Sequence, residues 1–312
     1  MIYTITLNPS LDYVMHVDAF TLGETNRSLA EEIFVGGKGF NVSTILHRLG
    51  YDTCAFGYIA GFSGEEIKRL LQKRGFNNAL ITLPDGFSRI NVKMKGNSET
   101  EINGSGPNIP THKIDELFQQ LDCLCDGDIL VLSGSIPNSL DTGIYESMLK
   151  HLAGKQIRSV VDATGNLLLN VLPYHPFLIK PNQDELEDLF NVRINSEKEL
   201  LYYGRKLQDM GAVNVLISRA SKGAILLAED KHIYHCGIAK GTVKNSVGAG
   251  DSMVAGFIAG YLQHNDYQEA LRLGSAAGGA TAFSDDLGEQ SLILQLYETL
   301  QVKVQSYEIC DS

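Results

Sequence analysis

The chain has 312 residues, 44% hydrophobic and 20% charged, which is ordinary for a globular protein and long enough for a large core without disulfide support. With 26 Lys+Arg against 37 Asp+Glu the net charge is −11, which argues against the broad basic surface of a general nucleic-acid binder. Five cysteines, an odd number, fit no disulfide framework; there is no stretch of roughly 18 apolar residues to span a membrane, and no signal-peptide pattern at the start, so a reducing cytoplasm is expected.

Strand and helix signals alternate along the chain. Ile2–Leu7 reads as a strand, and two further short strands fall at Tyr13–Val17 and Ile33–Val35. Lys38–Leu49 reads as a helix with Val42, Ile45, Leu46 and Leu49 on one face, followed by a strand at Thr53–Ile59 and a helix at Glu65–Arg74 that Gly75 ends. Arg89–Lys95 and Glu99–Asn103 read as a hairpin. In its first strand Ile90, Val92 and Met94 alternate with Arg89, Asn91, Lys93 and Lys95, predicting one apolar face and one cationic face. Asp128–Leu132, Ser159–Asp162, Phe177–Ile179 and Val213–Ser218 are short apolar strands, with helices near Asp141–Leu152, Asp184–Phe190 and Glu197–Met210 between them. A hairpin, Ala224–His235, and three helices complete the chain. Continuous apolar strands alternating with amphipathic helices predict an α/β fold with a mainly parallel sheet covered on both faces. No linker or repeat divides it, so a single domain over 1–312 is expected, with strands near 13–17, 33–35 and 88–103 forming a small lid.

The stretch Asn245-Ser-Val-Gly-Ala-Gly-Asp-Ser-Met-Val-Ala-Gly-Phe-Ile258 is a glycine turn running into a buried helix. Free amide groups and the helix dipole at Gly248, Ala249 and Gly250 favour an anion or a developing negative charge. Asp251 beside them is placed to take a proton; its structural alternative is a helix cap. A second glycine cluster, Gly36-Gly-Lys-Gly-Phe-Asn-Val-Ser43, also opens a helix. Lys38 can hold a phosphate as a point charge and Asn41 can meet sugar hydroxyls, although neither the P-loop nor the dinucleotide spacing is present. Asp12 follows the first strand, where parallel sheets tend to bind ligands. Asn182 and Glu185 fit a capping box, yet they also stand at the carboxyl edge of the sheet, where a Mg²⁺–phosphate complex can be held through water. Ser218 to Gly223 is another strand-ending turn, suited to a nucleotide's phosphates. In Ala276-Ala-Gly-Gly-Ala-Thr-Ala282 the near absence of side chains invites close packing by another helix or by a flat base such as adenine. The eight histidines show no metal-ligand spacing.

The two glycine motifs, in this order and about two hundred residues apart, resemble the PfkB (ribokinase-like) family of carbohydrate kinases over essentially the whole chain. The resemblance implies a ribokinase-like three-layer α/β/α fold with a β-sheet lid, ATP and Mg²⁺ as cofactors, and Asp251 as the base. It implies fructose 1-phosphate, phosphorylated at the 6-hydroxyl, as acceptor, with tagatose 6-phosphate as the alternative; a non-catalytic sugar-binding regulator is disfavoured by the intact Asp251. Asp12, Gly36, Gly37, Lys38, Asn41, Lys93 and Asn103 would meet the sugar, with Lys38, Arg27 and Arg89 near its phosphate. Lys180, Asn182, Glu185, Ser218, Gly223, Gly248, Gly250 and Gly278 would lie on the nucleotide side, with Asn182 and Glu185 reaching Mg²⁺ through water. The family commonly dimerises through the lid sheet, which predicts a homodimer; no nucleic-acid or membrane partner is expected.

Overall fold

In the computed structural model, which describes residues 1–306, the apolar runs become strands buried on both faces. In chain order they are β1 (Ile2–Thr6), β2 (Ser10–His16), β3 (Ala30–Gly36), β4 (Thr53–Ala60), β5 (Asn77–Leu83), β6 (Arg89–Lys95) and β7 (Glu99–Asn103). There follow β8 (Ile129–Ser133), β9 (Arg158–Asp162), β10 (Leu178–Ile179), β11 (Asn214–Ser218), β12 (Ala224–Leu227), β13 (His232–Cys236) and β14 (Val302–Ser306). Ten of them form one sheet in the order β14-β13-β12-β11-β10-β9-β8-β1-β4-β5. Every pairing from β5 across to β11 is parallel, and β12, β13 and β14 extend the sheet antiparallel.

The period of two along β8 explains the layers. Leu130 and Leu132 join a core with the helices Thr111–Leu121, Ile144–His151, Gln183–Phe190 and Glu197–Asp209. Ile129 and Val131 point the other way, into a core with Lys38–Arg48, Ala249–His264, Tyr267–Ala282 and Gln290–Thr299. This is the expected three-layer α/β/α arrangement. Helix Ala249–His264 packs on Tyr267–Ala282 almost backbone to backbone: a Cβ on Gly256 would lie 2.5 Å from Leu273 O and 2.8 Å from Ala277 Cβ. Among the described residues no helix is long and apolar enough to cross a membrane. Cys54, Cys123, Cys125 and Cys236 are free thiols, and Cys310 lies outside the described residues.

The remaining four strands make a separate sheet, β3-β2-β6-β7, over the carboxyl end of β1. Leu11, Val35 and Phe40 beneath it pack against Ile67 and Leu71 of the helix Gly61–Arg74. That helix starts four residues before the expected Glu65, and in its added turn Ser63 donates by its hydroxyl to Ser88 O at 2.6 Å. The β6 face expected to be cationic is neutralised at Lys93, which is buried with its ammonium 3.2 Å from Asp12 and 3.5 Å from Glu101. The other side of the sheet exposes Ile33 (51%) and Ile102 (60%).

Candidate active site

The ends of β1, β8, β9 and β11, the helix Ala249–His264 and the small sheet enclose one cavity of about 670 Å³. Its position at the carboxyl ends of parallel strands is the usual one for a ligand in such sheets. Gly248 caps the helix with a left-handed backbone (φ 78), which glycine adopts without a Cβ penalty. The first intrahelical bond there runs from Ser252 N–H to Gly248 O (2.9 Å), which leaves the N–H groups of Gly250 and Asp251 outside the helical ladder. Ala249 N–H, by contrast, donates to Ser246 O (3.3 Å), so the expected row of three donors is not fully free.

Asp251 is buried, and its carboxylate accepts a 2.8 Å hydrogen bond from Asn41 Nδ2. That single contact joins the two glycine motifs across 210 residues. Burial, and then the charge of Asp162, pushes the Asp251 carboxyl up to about 6, against the pull of Lys38, Asn41 and Lys180. A carboxylate so placed can accept a proton near neutral pH.

Asp162, at the end of β9, is a site residue the sequence reading left as a strand terminus. It is buried between two lysines, 3.1 Å from Lys38 Nζ and 3.2 Å from Lys180 Nζ. Burial alone would raise its pKa, but Lys180 and Lys38 outweigh it and hold the carboxyl below the ordinary range. Burial likewise works against the Lys38 ammonium, and Asp162 followed by Asp251 holds its pKa above the usual value. A Cβ on Gly250 would stand 3.2 Å from Lys180 Nζ, so this lysine reaches the glycine turn.

The facing wall belongs to the small sheet. Asp12 accepts from Ser10 Oγ (2.7 Å) and Asn91 Nδ2 (2.9 Å) as well as pairing with Lys93, so its carboxylate is fixed from three sides. Gly36 allows this: a Cβ there would sit 2.2 Å from Ser10 Oγ and 2.6 Å from Asp12 Oδ1. Gly37, also on the cavity, precedes Lys38 at the start of the helix Lys38–Arg48. Arg89 donates through Nε to Asn8 O (3.0 Å); burial lowers its pKa and Asp12 opposes that. This bond does not use its terminal nitrogens.

Asn182 and Glu185 form the capping box: Glu185 N–H donates to Asn182 Oδ1 (2.7 Å) and Asn182 N–H to Glu185 Oε2 (2.8 Å). Both side chains, with Ser218, nonetheless line the cavity. Five expected residues are not on its wall, Ala249 of the glycine turn among them. Arg27 is exposed in the loop after β2, and Asn103 is exposed at the end of β7. Gly223 has its α-carbon face against Cys236 O, 2.1 Å from where a Cβ would be. Gly278 is buried in the helix pair, where a Cβ would meet Ala249 O at 3.1 Å. Packing by a neighbouring helix therefore accounts for its missing side chain. Among the described residues no cluster of His, Cys, Asp or Glu is arranged to hold a metal by itself.

The family model described as pfkB family carbohydrate kinase matches residues 5–291. The chain is similar to a 1-phosphofructokinase of Bacillus subtilis, with 44% identity over 97% of this chain and 99% of that protein. It is also similar to a D-tagatose-1-phosphate kinase of Bacillus licheniformis, at 36% identity over 97% and 99% of the two chains. Among solved structures, phosphofructokinase-2 of Escherichia coli in complex with substrates and products superposes with a TM-score of 0.90, at 26% identity over 96% and 98% of the two chains.

Proposed function

The chain belongs to the pfkB family of carbohydrate kinases, and from that premise we propose that it moves the γ-phosphoryl group of ATP to the 6-hydroxyl of fructose 1-phosphate. The observation that carries this reading is the pairing of Asn41 with Asp251 in one cavity, opposite the wall of Asp12 and Arg89. Fructose 1-phosphate lies against that wall, its phosphate on the terminal nitrogens of Arg89 and its hydroxyls on Asp12 and Asn41. Asp251 takes the proton of the 6-hydroxyl as the oxygen bonds to the γ-phosphorus, and the bond to the β-phosphate oxygen breaks, releasing ADP. The N–H groups of the glycine turn, with Lys38 and Lys180, stabilise the charge on the transferring group, so positioning and electrostatics supply most of the catalysis.

Asn182 and Glu185 fit a Mg²⁺ that arrives on the nucleotide. Their side chains are partly spent on the helix cap, and Asp162 is neutralised by two lysines, so the protein offers few direct ligands. Such a set suits an ion held mainly by phosphate oxygens and water. The ion would supply neutralisation of phosphate charge. We also place the protein in the cytoplasm, and as a homodimer that covers the exposed Ile33 and Ile102 face of the small sheet; their exposure supports this reading.

A second acceptor has a specific observation in its favour. The relative of Bacillus licheniformis is named for D-tagatose 1-phosphate, which differs from fructose 1-phosphate only in configuration at C4. Tagatose 6-phosphate stays as the third candidate. The test is kcat/KM for these three with fructose 6-phosphate alongside. Fructose 1-phosphate should stand highest; a higher value for a tagatose phosphate would transfer the assignment to it, and no turnover of any would overturn the reading.

A further inference from the structure

The segment 283–289 links the helices Tyr267–Ala282 and Gln290–Thr299, and its Asp286 and Leu287 reach the cavity. Leu287 is buried, with Cδ2 2.8 Å from the point a Cβ on Gly248 would occupy. The left-handed residue that starts the helix of Asp251 is thus braced from behind by one leucine.

What fixes Leu287 is largely a guanidinium. Arg48 Nη1 donates to Leu287 O (2.6 Å) and Gly288 O (2.9 Å), and Nη2 stands 2.9 Å from the Glu289 carboxylate. Arg74 supports the same loop more loosely, 3.6 Å from Asp286, while donating to Thr44 Oγ1 at 3.2 Å. On the inner side Gly288 N–H donates to Thr281 Oγ1, which shares a 2.7 Å hydrogen bond with Ser252 Oγ in the helix of Asp251. The ion pair to exposed Glu289 is worth little in water, whereas charge-assisted bonds to two main-chain carbonyls are among the stronger kind. Arg48 ends the same helix that Lys38 begins and that carries Asn41. This helix therefore meets the reaction centre twice, once through Asn41 on Asp251 and once through Arg48, Leu287 and Gly248.

We propose that Arg48 is a positioning residue for phosphoryl transfer: by tethering the Leu287–Gly288 backbone it holds Leu287 against Gly248 and keeps the glycine-turn N–H groups aimed at the transferring group. The inference rests on the kinase reading above. Arg48 touches neither substrate, so its loss acts on alignment, and a misplacement near 1 Å can cost about 10²-fold in rate.

The test is steady-state kinetics with ATP and fructose 1-phosphate on the full chain, normalised to folded enzyme by urea unfolding. Arg48→Ala should lower kcat by about 10- to 100-fold with little change in the KM for sugar phosphate. Arg48→Lys should recover part of the loss, since an ammonium still donates to a carbonyl, and Glu289→Ala should leave kcat unchanged. Should Arg48→Ala fail to fold, Leu287→Ala reads the same brace from its other end and should lower kcat in the same way. Normal kcat in folded Arg48→Ala or Leu287→Ala, or an equal loss in Glu289→Ala, would overturn the positioning role alone. A wild-type chain inactive on every ketose phosphate would overturn the kinase reading and this inference with it.

Discussion

Replacing Asp251 by Asn should make the protein more stable and nearly inactive, and the size of the first effect follows from its surroundings. Burial and Asp162 push this carboxyl from 3.8 to about 6. At 1.36 kcal/mol per pKa unit, holding it ionised costs the fold about 3 kcal/mol. Below pH about 4 the acid is protonated in both the folded and the unfolded chain, so no cost is felt. Between about 4 and 6 the unfolded chain has lost the proton while the folded one keeps it, so stability falls as pH rises. Above about 6 the whole cost is present. Asp251→Asn has no charge to hold, and its amide oxygen can still accept from Asn41. Urea unfolding at pH 4 and pH 8 should thus show variant and wild type alike at the lower pH. At the higher pH the variant should gain up to about 3 kcal/mol. Activity should move the other way, kcat falling by about 10²- to 10⁴-fold as the base is lost. Equal stabilities at pH 8, or a gap larger at pH 4, would refute the account of the strained carboxylate. Near-normal turnover would refute its role as base and leave it a structural partner of Asn41.

Arg89→Ala should raise the KM for sugar phosphate far more than that for ATP; equal effects in initial-rate assays would count against its place at the phosphate. Asp162→Asn strips two ammonium groups of their buried partner and should destabilise the fold by about 3–5 kcal/mol in chemical denaturation. The same change removes a negative neighbour from Asp251, so the acidic limb of kcat/KM should move to lower pH; an unmoved limb would separate the two carboxylates. Ile102→Lys puts a charge on the exposed face of the small sheet and should convert a dimer into monomers in sedimentation velocity. A wild type that sediments as a monomer would dispose of the dimer.

Much of this was legible because the signals are local. Apolar runs of five or so residues announced β8, β9 and β11, and the glycine motifs marked both ends of the Asn41–Asp251 contact. Residues whose role comes from partners far along the chain were not legible. Asp162 closes an apolar strand, and nothing near it in sequence shows that Lys38 and Lys180 converge on it. Lys93 reads as a free cation until β2 is laid beside β6, which brings Asp12 to it. Strands β5 and β14 went unread, as did the helix Thr111–Leu121. Both strands sit at edges of the large sheet, where one neighbour and partial exposure weaken the apolar pattern. Gly278 is the opposite case, since a missing side chain marks close approach without saying whether a ligand or a helix approaches, and here a helix does.

The place of β1 in the sheet bears on how the chain is made. It lies between β4 and β8, so its second partner begins at Ile129. During synthesis the first strand must wait for well over a hundred residues to leave the ribosome before both its edges are paired. The cavity waits longer, because Asp251 is added after every strand of the parallel array. Such distant pairings make for slow closure, with apolar edges uncovered meanwhile. A nascent chain of this kind therefore keeps apolar strand edges unpaired until its last third has emerged.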